Sequence, residues 1–174
     1  MSASEPVVRH VHEEKTAYTS GEERPLGSFT VLIGAYAGVV AAGAGAVRLA
    51  GKELPDTVGT RDLALVSVAT FQLSRLLAKD PVTSPLRAPF TRFKGTSGEA
   101  ELAEEVRGKG PRKAIGELVT CPFCVGQWVA TGFAFGLVLA PRATRLAAAT
   151  VTAVAASDVL QLAYAKAEQA ANGS

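Results

Sequence analysis

The chain has 174 residues, 48% of them hydrophobic, and its formal net charge at pH 7 is +2. So small a net charge gives no indication of nucleic-acid binding, and the length alone would suit one soluble domain. The apolar residues are nevertheless gathered in long runs instead of recurring at helical or strand intervals, which argues against a water-facing amphipathic fold and indicates a membrane protein.

The first 25 residues are polar and contain five glutamates. Their Ser, Glu, Pro and Gly content leaves little apolar surface to offset the entropy lost on ordering. A secretory signal would begin with basic residues and reach a short apolar core sooner. We therefore expect residues 1–25 to form a disordered cytoplasmic tail without a cleavable signal.

Four apolar stretches follow, and they predict an all-α membrane domain over residues 26–166, a four-helix transmembrane bundle. The predicted spans are about 26–47, 57–79, 118–140 and 143–165. The first and third contain no charged residue, and each reaches the ~20 residues needed to cross ~30 Å of hydrocarbon. The second and fourth are interrupted by charges. The alternative, a soluble Ala-rich bundle, would show polar helix faces at a 3.6-residue period.

The distribution of Lys and Arg predicts the orientation. With four spans, both termini and the loop 80–117 share one side of the membrane. Of the 18 Lys and Arg residues, five lie on the other side, which leaves 18 − 5 = 13 on the shared side. Those five are Arg48, Lys52, Arg61, Arg142 and Arg145. Because cytoplasmic segments retain positive residues, residues 1–25, 80–117 and 167–174 are predicted to be cytoplasmic, in a bacterial inner membrane.

Small residues recur every four positions on two of the spans. Gly34, Gly38 and Ala42 share one face of the first span, and Gly132 and Gly136 share a face of the third. Such faces let helix backbones approach closely, so we predict that they pack within the bundle. Homodimerisation through the same faces is the alternative.

The predicted cytoplasmic loop 80–117 interleaves basic and aromatic residues at 90–94. This pattern suits an ordinary connector under the positive-inside rule or, alternatively, a surface that binds anionic lipid. Residues 99–107 are charged enough for a short exposed helix, which Gly and Pro at 108–111 would end. We expect this loop, together with the Cys-x-x-Cys at 121–124, to be the contact surface for a protein partner.

The two cysteines, Cys121 and Cys124, flank Pro122 and Phe123 near the start of the third span. Pro122 suits the first turn of a helix, so Cys121 lies at a helix amino terminus, where partial positive charge favours a thiolate. The four residues resemble the active-site motif of glutaredoxins. A thioredoxin-type fold would place strands beside this motif, whereas here an uncharged membrane segment follows.

Three interpretations of this pair stay open. Reduced cysteines can pack the third span against its neighbours. A thiol-dependent redox function would use Cys121 as the exposed thiolate and Cys124 as its resolving partner. A zinc site would need further ligands, from His10 and His12 or from a second subunit. No cofactor is predicted.

An intramembrane polar cluster is predicted near the cytoplasmic ends of the spans. Asp158 interrupts an apolar span, and such residues are usually paired or functional. At a rise of ~1.5 Å per residue, Asp158, Gln127 and Arg75 each lie within roughly 10 Å of a cytoplasmic span end. We predict that Arg75 is the ionic partner of Asp158 and that the cluster fixes helix register. The alternative is a proton or ion path in a small transporter.

Two segments carry a family resemblance. Residues 71–80 place an arginine in a helix that ends in an acidic turn, and residues 116–128 contain Gly-Glu-Leu, Cys-x-x-Cys, a glycine and a tryptophan. Over about 57–165 the chain resembles a family of small bacterial membrane proteins known as domain of unknown function 1360. The matching positions are Arg75, Asp80, Gly116, Glu117, Leu118, Cys121, Cys124, Gly126 and Trp128. The resemblance implies a bacterial multi-span membrane protein and brings no activity or cofactor.

The sequence therefore predicts a structural or partner-binding component of the bacterial inner membrane. A phosphate-binding glycine loop, a nucleophile elbow and a His-Glu-x-x-His helix are absent from the sequence, which argues against the corresponding enzymes. The predicted partners are membrane lipids and a protein bound through the cytoplasmic loop, with a second copy as an alternative. The alternative function is the thiol-dependent one.

Overall fold

The computed structural model describes Tyr18, residues 24–98 and residues 100–172. Most of these residues are helical. In chain order the elements are α1 (Leu26–Leu49), α2 (Thr60–Lys79), a 3-10 turn (Pro81–Thr83), α3 (Ser84–Arg87), β1 (Thr91–Gly98), β2 (Glu101–Val106), α4 (Gly110–Thr120), α5 (Pro122–Leu139) and α6 (Pro141–Asn172). The predicted disorder of residues 1–25 falls almost wholly outside the described residues.

Three helices among the described residues are long and apolar enough to cross a membrane: α1, α5 and α6. The stretch predicted as the second span forms α2, but α2 does not meet that measure. Every 18-residue window of α2 contains three charged residues, drawn from Arg61, Asp62, Arg75 and Lys79. Three of the four predicted spans therefore correspond to helices that meet this measure, and the second corresponds to a charged helix that does not.

Proline and glycine set several helix boundaries. Gly59 precedes α2, and the extended backbone of Asp80 followed by Pro81 ends it. Only Cys121 separates α4 from α5, so α5 begins at Pro122, where the proline predicted a helix start, four residues inside the apolar stretch 118–140. The last helix, α6, runs to Asn172, beyond the predicted end at 165.

The bundle core lies where α2, α5 and α6 meet. Ala69, Phe133 and Ala148 are buried there, one from each helix. Partly buried apolar residues surround them: Leu65, Val66, Leu73, Val129 and Val151. Small residues from two of the three helices let the backbones approach around one phenyl ring, so α2 is part of the bundle despite its charges.

The helix directions follow from the contacts. Asp62 of α2 contacts Arg145 of α6, and Gln72 of α2 contacts Asp158 of α6, so the pairs increase along both helices and α2 and α6 run parallel. The one-residue connection at Ala140 folds α6 back on α5. Consequently α5 runs antiparallel to both α2 and α6.

Residues 80–120 hold more structure than a connector, and the all-α prediction is wrong at this point. β1 and β2 pair antiparallel from Thr91 opposite Val106 to Gly98 opposite Glu101, with irregular register at two places in β1. The predicted helix over 99–107 is therefore also wrong, because residues 101–106 form β2. Helix propensity is a weak preference, and here the tertiary contacts of β2 override it.

Candidate functional site

The carboxyl end of α2 is closed by the segment from Asp80 to Arg107, which we call the platform. Thr83 Oγ1 donates to the Leu76 carbonyl at 2.5 Å, and Arg87 Nη1 donates to the Leu77 carbonyl at 2.8 Å. Arg87 Nη2 also donates to the Asp80 carbonyl at 3.0 Å. Carbonyls at a helix end lack partners within the helix, so these donors satisfy the end of α2.

A buried ion pair joins α3 of the platform to its hairpin. The side chain of Arg87 is 1% exposed and that of Glu104, on β2, is 6% exposed. Arg87 Nε donates to Glu104 Oε2 at 2.5 Å, and Thr91 Oγ1 donates to Glu104 Oε1 at 3.0 Å. A buried carboxylate with both oxygens hydrogen-bonded is well compensated, so this pair fixes the hairpin to the end of α2.

The other two glutamates of β2 also pair with basic residues. Glu101 pairs with Arg75 of α2, and Glu105 pairs with Lys94 of β1 at 2.6 Å. The hydrogen bond from Lys94 is the main cause that lowers the pKa of Glu105. Within the described chain each β2 glutamate therefore has a basic partner. The described platform residues carry four basic and four acidic side chains, so their formal charges cancel.

Helix α4 is seated against the platform at Gly116. A Cβ at this position would lie 2.5 Å from Val106 Cγ1 and 3.2 Å from the Phe90 carbonyl oxygen, so only glycine fits this approach. Arg112 Nε of α4 donates to the Pro89 carbonyl at 2.9 Å. The platform, α4 and the end of α2 consequently form one packed unit at one end of the bundle.

The two cysteines lie beside this unit. Cys121 Sγ accepts a hydrogen bond from the Cys124 amide at 3.3 Å, so Cys121 caps α5 as predicted from Pro122. Both thiols are free; Cys121 is half-buried and Cys124 is exposed. Burial raises the pKa of Cys121, but hydrogen bonds from Cys124 and the Phe123 amide and the charge of Lys79 together bring it below its ordinary value.

The described residues contain no group of three His, Cys, Asp or Glu side chains placed to hold a metal ion. The alternative zinc site would take further ligands from His10 and His12, which lie outside the described residues. Zinc binding at Cys121 and Cys124 therefore stays an untested alternative that depends on donors from elsewhere.

The predicted polar cluster is distributed over three separate contacts, and the predicted ion pair between Arg75 and Asp158 is wrong. Arg75 pairs with Glu101, and its guanidinium also lies 5.5 Å from the centre of the Phe71 ring. Asp158 Oδ2 instead accepts a hydrogen bond from Gln72 Nε2 at 2.6 Å. Asp158 does join two helices, but its partner is an amide and not a cation.

Gln127, the third predicted member, binds α1. Its Nε2 donates to Tyr36 Oη at 2.7 Å, and Tyr36 Oη also lies 2.8 Å from Thr131 Oγ1. The Tyr36 ring meets Trp128 edge to face, with centroids 5.3 Å apart. Because polar side chains in apolar helices favour partners on neighbouring helices, these contacts fix α1 to α5.

The small-residue faces divide into packed and open positions. On α5, Gly136 faces Thr144 of α6, where a Cβ would lie 2.6 Å from Thr144 Oγ1. Gly34, Gly38 and Gly132 have open space around the position of a Cβ, and Ala42 is exposed. The glycine of α1 that meets a neighbour is Gly43, which lies against the Phe135 ring. Only part of the predicted stripe therefore packs within the chain.

A groove of about 1300 Å³ runs between α2 and α5. Its walls include Val66, Thr70, Phe71, Gly126, Ala130 and Ala134. Thr70 Oγ1 is buried beside it and has no hydrogen-bond partner in the described part of the chain. Among the described residues, neither cysteine lines this groove.

Sequence reasoning missed Thr83, Arg87 and Glu104. A signal did exist in the run Asp80-Pro81-Val82-Thr83, because an Asp before Pro initiates a turn and Asp80 Oδ1 does accept the Val82 amide at 2.8 Å. Nothing local indicated that Arg87 would be buried. Its partner Glu104 lies 17 residues away in a segment that was predicted to be helical.

Comparison with known proteins places this chain in a family. The family model described as "Protein of unknown function (DUF1360)" matches residues 65–164, more than half of the chain. Sporulation protein YjcA of Bacillus subtilis (strain 168) is 39% identical over 71 residues, which cover 39% of this chain and 60% of that protein. This chain thus spans less than two thirds of that relative, and no solved structure matches it. The chain belongs to the DUF1360 family of bacterial proteins of unknown function.

Proposed function

We propose that the chain is a multi-pass protein of the bacterial inner membrane in which α2 crosses the bilayer with α1, α5 and α6. The directions of α2, α5 and α6 alternate along the chain, which supports this proposal because consecutive spans must alternate in direction. The charges of α2 support it too: Asp62 pairs with Arg145, Arg75 pairs with Glu101, and all of its charges lie near its ends. Paired or terminal charges are the ones that a spanning helix tolerates.

In this arrangement the platform and the carboxyl end of α6 face the cytoplasm. The positive-inside distribution, 13 Lys and Arg residues against five, supports the orientation. Cys121 and Cys124 provide a test, because they lie at the platform end of the bundle and both thiols are free. Labelling in intact cells by a membrane-permeant maleimide alone is expected. Labelling by an impermeant maleimide would place this end outside the cell.

We further propose that the protein is a structural or partner-binding component and not an enzyme, and that its platform binds a protein partner. The observation that carries this proposal is that the three glutamates of β2 form ion pairs within the chain. Their partners are Arg75, Arg87 and Lys94. These cations are therefore engaged within the chain, which disfavours the alternative of an anionic lipid surface. An aromatic side chain remains available instead, since Phe93 of β1 is 66% exposed.

Exposed aromatic residues on an ordered, nearly neutral surface are typical anchors of protein interfaces. Phe93 is held by the hairpin, and the hairpin is held by Arg87 and Glu104, so the anchor is presented in one geometry. Val82 and Leu86 add exposed apolar surface to the same segment. Together these residues define the contact surface that we propose.

The test is photo-crosslinking in living cells with p-benzoylphenylalanine placed at position 93. We expect a discrete protein adduct that disappears when Glu104→Gln weakens the platform. The matched control places the same probe at Val154, an exposed position within α6 that should face lipid. Adducts to lipid alone at position 93, or equal protein adducts at both positions, would refute partner binding by the platform.

A further inference from the structure

The two cysteines are not used by the proposed partner contact, and their setting differs from that of packing residues. The core of the bundle lies at Ala69, Phe133 and Ala148, whereas Cys124 is exposed and Cys121 is only half-buried. Buried cysteines in apolar cores are unreactive, but accessible thiols at a helix amino terminus are the reactive kind. The packing interpretation therefore does not account for their exposure.

We infer that Cys121 and Cys124 form a reversible intramolecular disulfide by exchange with a low-molecular-weight disulfide, and that this bond controls the junction between α4 and α5. The inference goes beyond the proposed partner contact and rests on other residues. Its first support is the short contact between the two positions: Cys121 Sγ accepts the Cys124 amide at 3.3 Å. One turn of helix thus brings both side chains to the same end of α5.

The second support is the electrostatic setting of Cys121. Two positive features lie near its sulfur: the amino-terminal amides of α5, among them that of Cys124, and the Lys79 ammonium at the end of α2. Both favour the thiolate, which is the species that attacks a disulfide. Because Cys121 remains half-exposed, a small disulfide can approach it from the aqueous end of the bundle.

The disulfide forms in two thiol–disulfide exchange steps. The Cys121 thiolate attacks one sulfur of RSSR, the S–S bond of RSSR breaks, and RS⁻ leaves while a mixed disulfide forms on Cys121. Cys124 then loses its proton to water, its sulfur attacks Cys121 Sγ, and the second RS⁻ leaves. The protein dithiol is oxidised by two electrons and RSSR is reduced to two RSH. Excess RSH reverses both steps.

The junction gives this bond a structural consequence. Cys121 is the only residue between Thr120, where α4 ends, and Pro122, where α5 begins. A disulfide requires a particular side-chain torsion and separation, so it constrains the backbone of the one residue that sets the angle between the two helices. Because Gly116 of α4 packs against the platform, a change in the angle between α4 and α5 also changes the contact between α4 and the platform.

The experiment equilibrates the full-length chain in lipid nanodiscs with mixtures of reduced and oxidised glutathione, followed by acid quenching, maleimide labelling and intact mass measurement. We expect both thiols to be lost together, with a mass decrease of two hydrogens and no retained glutathione. Cys121→Ser and Cys124→Ser are matched controls, and each should stop at one mixed disulfide or one free thiol. Hydrogen exchange over residues 110–120 should differ between oxidised and reduced wild-type chain and not between the same treatments of the double Ser variant.

Retention of both thiols in oxidising mixtures, accumulation of mixed disulfides in the wild-type chain, or linkage between two chains would overturn the disulfide. Thiols that become reactive only after chelation would show a metal site instead and would overturn it as well. A disulfide that leaves exchange over residues 110–120 unchanged would overturn control of the junction. The crosslink at position 93 is measured separately, so failure of the partner contact and failure of the disulfide are distinguishable.

Discussion

Replacing Arg87 by Met should release the hairpin from the end of α2. The substitution keeps an unbranched side chain of similar length but removes the cation that pairs with Glu104. It also removes the donors to the Leu77 and Asp80 carbonyls. The Glu104 carboxylate would then be buried with Thr91 as its remaining hydrogen-bond donor among the contacts described.

The free-energy cost of Arg87→Met follows from the burial of the ion pair. Because both side chains are almost fully buried, removing one partner leaves an uncompensated charge, and such changes cost about 3–5 kcal/mol. At about 1.4 kcal/mol for each factor of ten, this cost raises the population of the opened hairpin roughly 100- to 4000-fold. The loss of protection should be confined to the hairpin. In the described chain, the hydrogen bonds and ion pair of Arg87 involve no residue of α1, α5 or α6.

Hydrogen exchange measured by mass spectrometry in nanodiscs is the appropriate assay. Amides of β1 and β2 should lose protection by the factor given above, while those of α5 should keep theirs. Lys94→Met is the matched control, because it breaks the exposed pair with Glu105 and should change exchange little. The double variant Arg87→Met with Glu104→Leu should recover much of the protection, because an apolar pair leaves no buried charge.

A change in hairpin exchange for Arg87→Met no larger than that for Lys94→Met would refute the role of the buried ion pair. A double variant as poorly protected as the single one would refute the role of the buried charge, because the loss would then arise from the missing carbonyl donors.

The remaining predictions concern three other positions. Gly116→Ala should destabilise the contact between α4 and the platform by about 1–3 kcal/mol, because the added methyl group overpacks it. Gly98→Ala is the control, since its Cβ would have open space, and thermal unfolding distinguishes the two variants. Asp158→Asn should keep a hydrogen bond from Gln72 and be tolerated, while Asp158→Leu should leave that amide unpaired and weaken the α2–α6 contact, measured by unfolding in denaturing detergent. Alkylation of Cys121 by iodoacetamide should increase with pH around a midpoint below that of an ordinary thiol, because its lowered pKa keeps the thiolate present at lower pH. A midpoint at the ordinary value would show that the hydrogen bonds and Lys79 do not stabilise the thiolate.

Local chemistry was readable from the sequence. The uncharged runs at 26–47 and 118–140 predicted apolar helices, and α1 and α5 lie there. Pro122 predicted where α5 begins and placed Cys121 at its cap, which the hydrogen bond from the Cys124 amide confirms. The combined motif around Arg75, Cys121 and Trp128 indicated the family, which the match over residues 65–164 confirms. Each of these features depends on residues that are close in the chain.

The platform could not be predicted in the same way. The residues of β2 favour a helix by local propensity, yet they form a strand because Glu101 and Glu104 meet Arg75 and Arg87 from other elements. These partners become neighbours only after α2 ends at Asp80 and the following turn reverses the chain.

The partner of Asp158 shows the same limit inside the bundle. Depth along the helix axis placed Arg75 and Asp158 at similar levels, and this estimate uses only the rise per residue. By the same rise Gln72 lies about 10 Å from the end of α2 at Lys79 and Arg75 about 6 Å, so Gln72 is level with Asp158 and contacts α6, while Arg75 contacts the platform through Glu101. The sequence by itself thus determined the apolar helices, the cap at Cys121 and the family, since these follow from neighbouring residues. Only the tertiary structure decided the hairpin, the buried pair of Arg87 with Glu104 and the partner of Asp158, since these depend on how distant segments are rotated and packed.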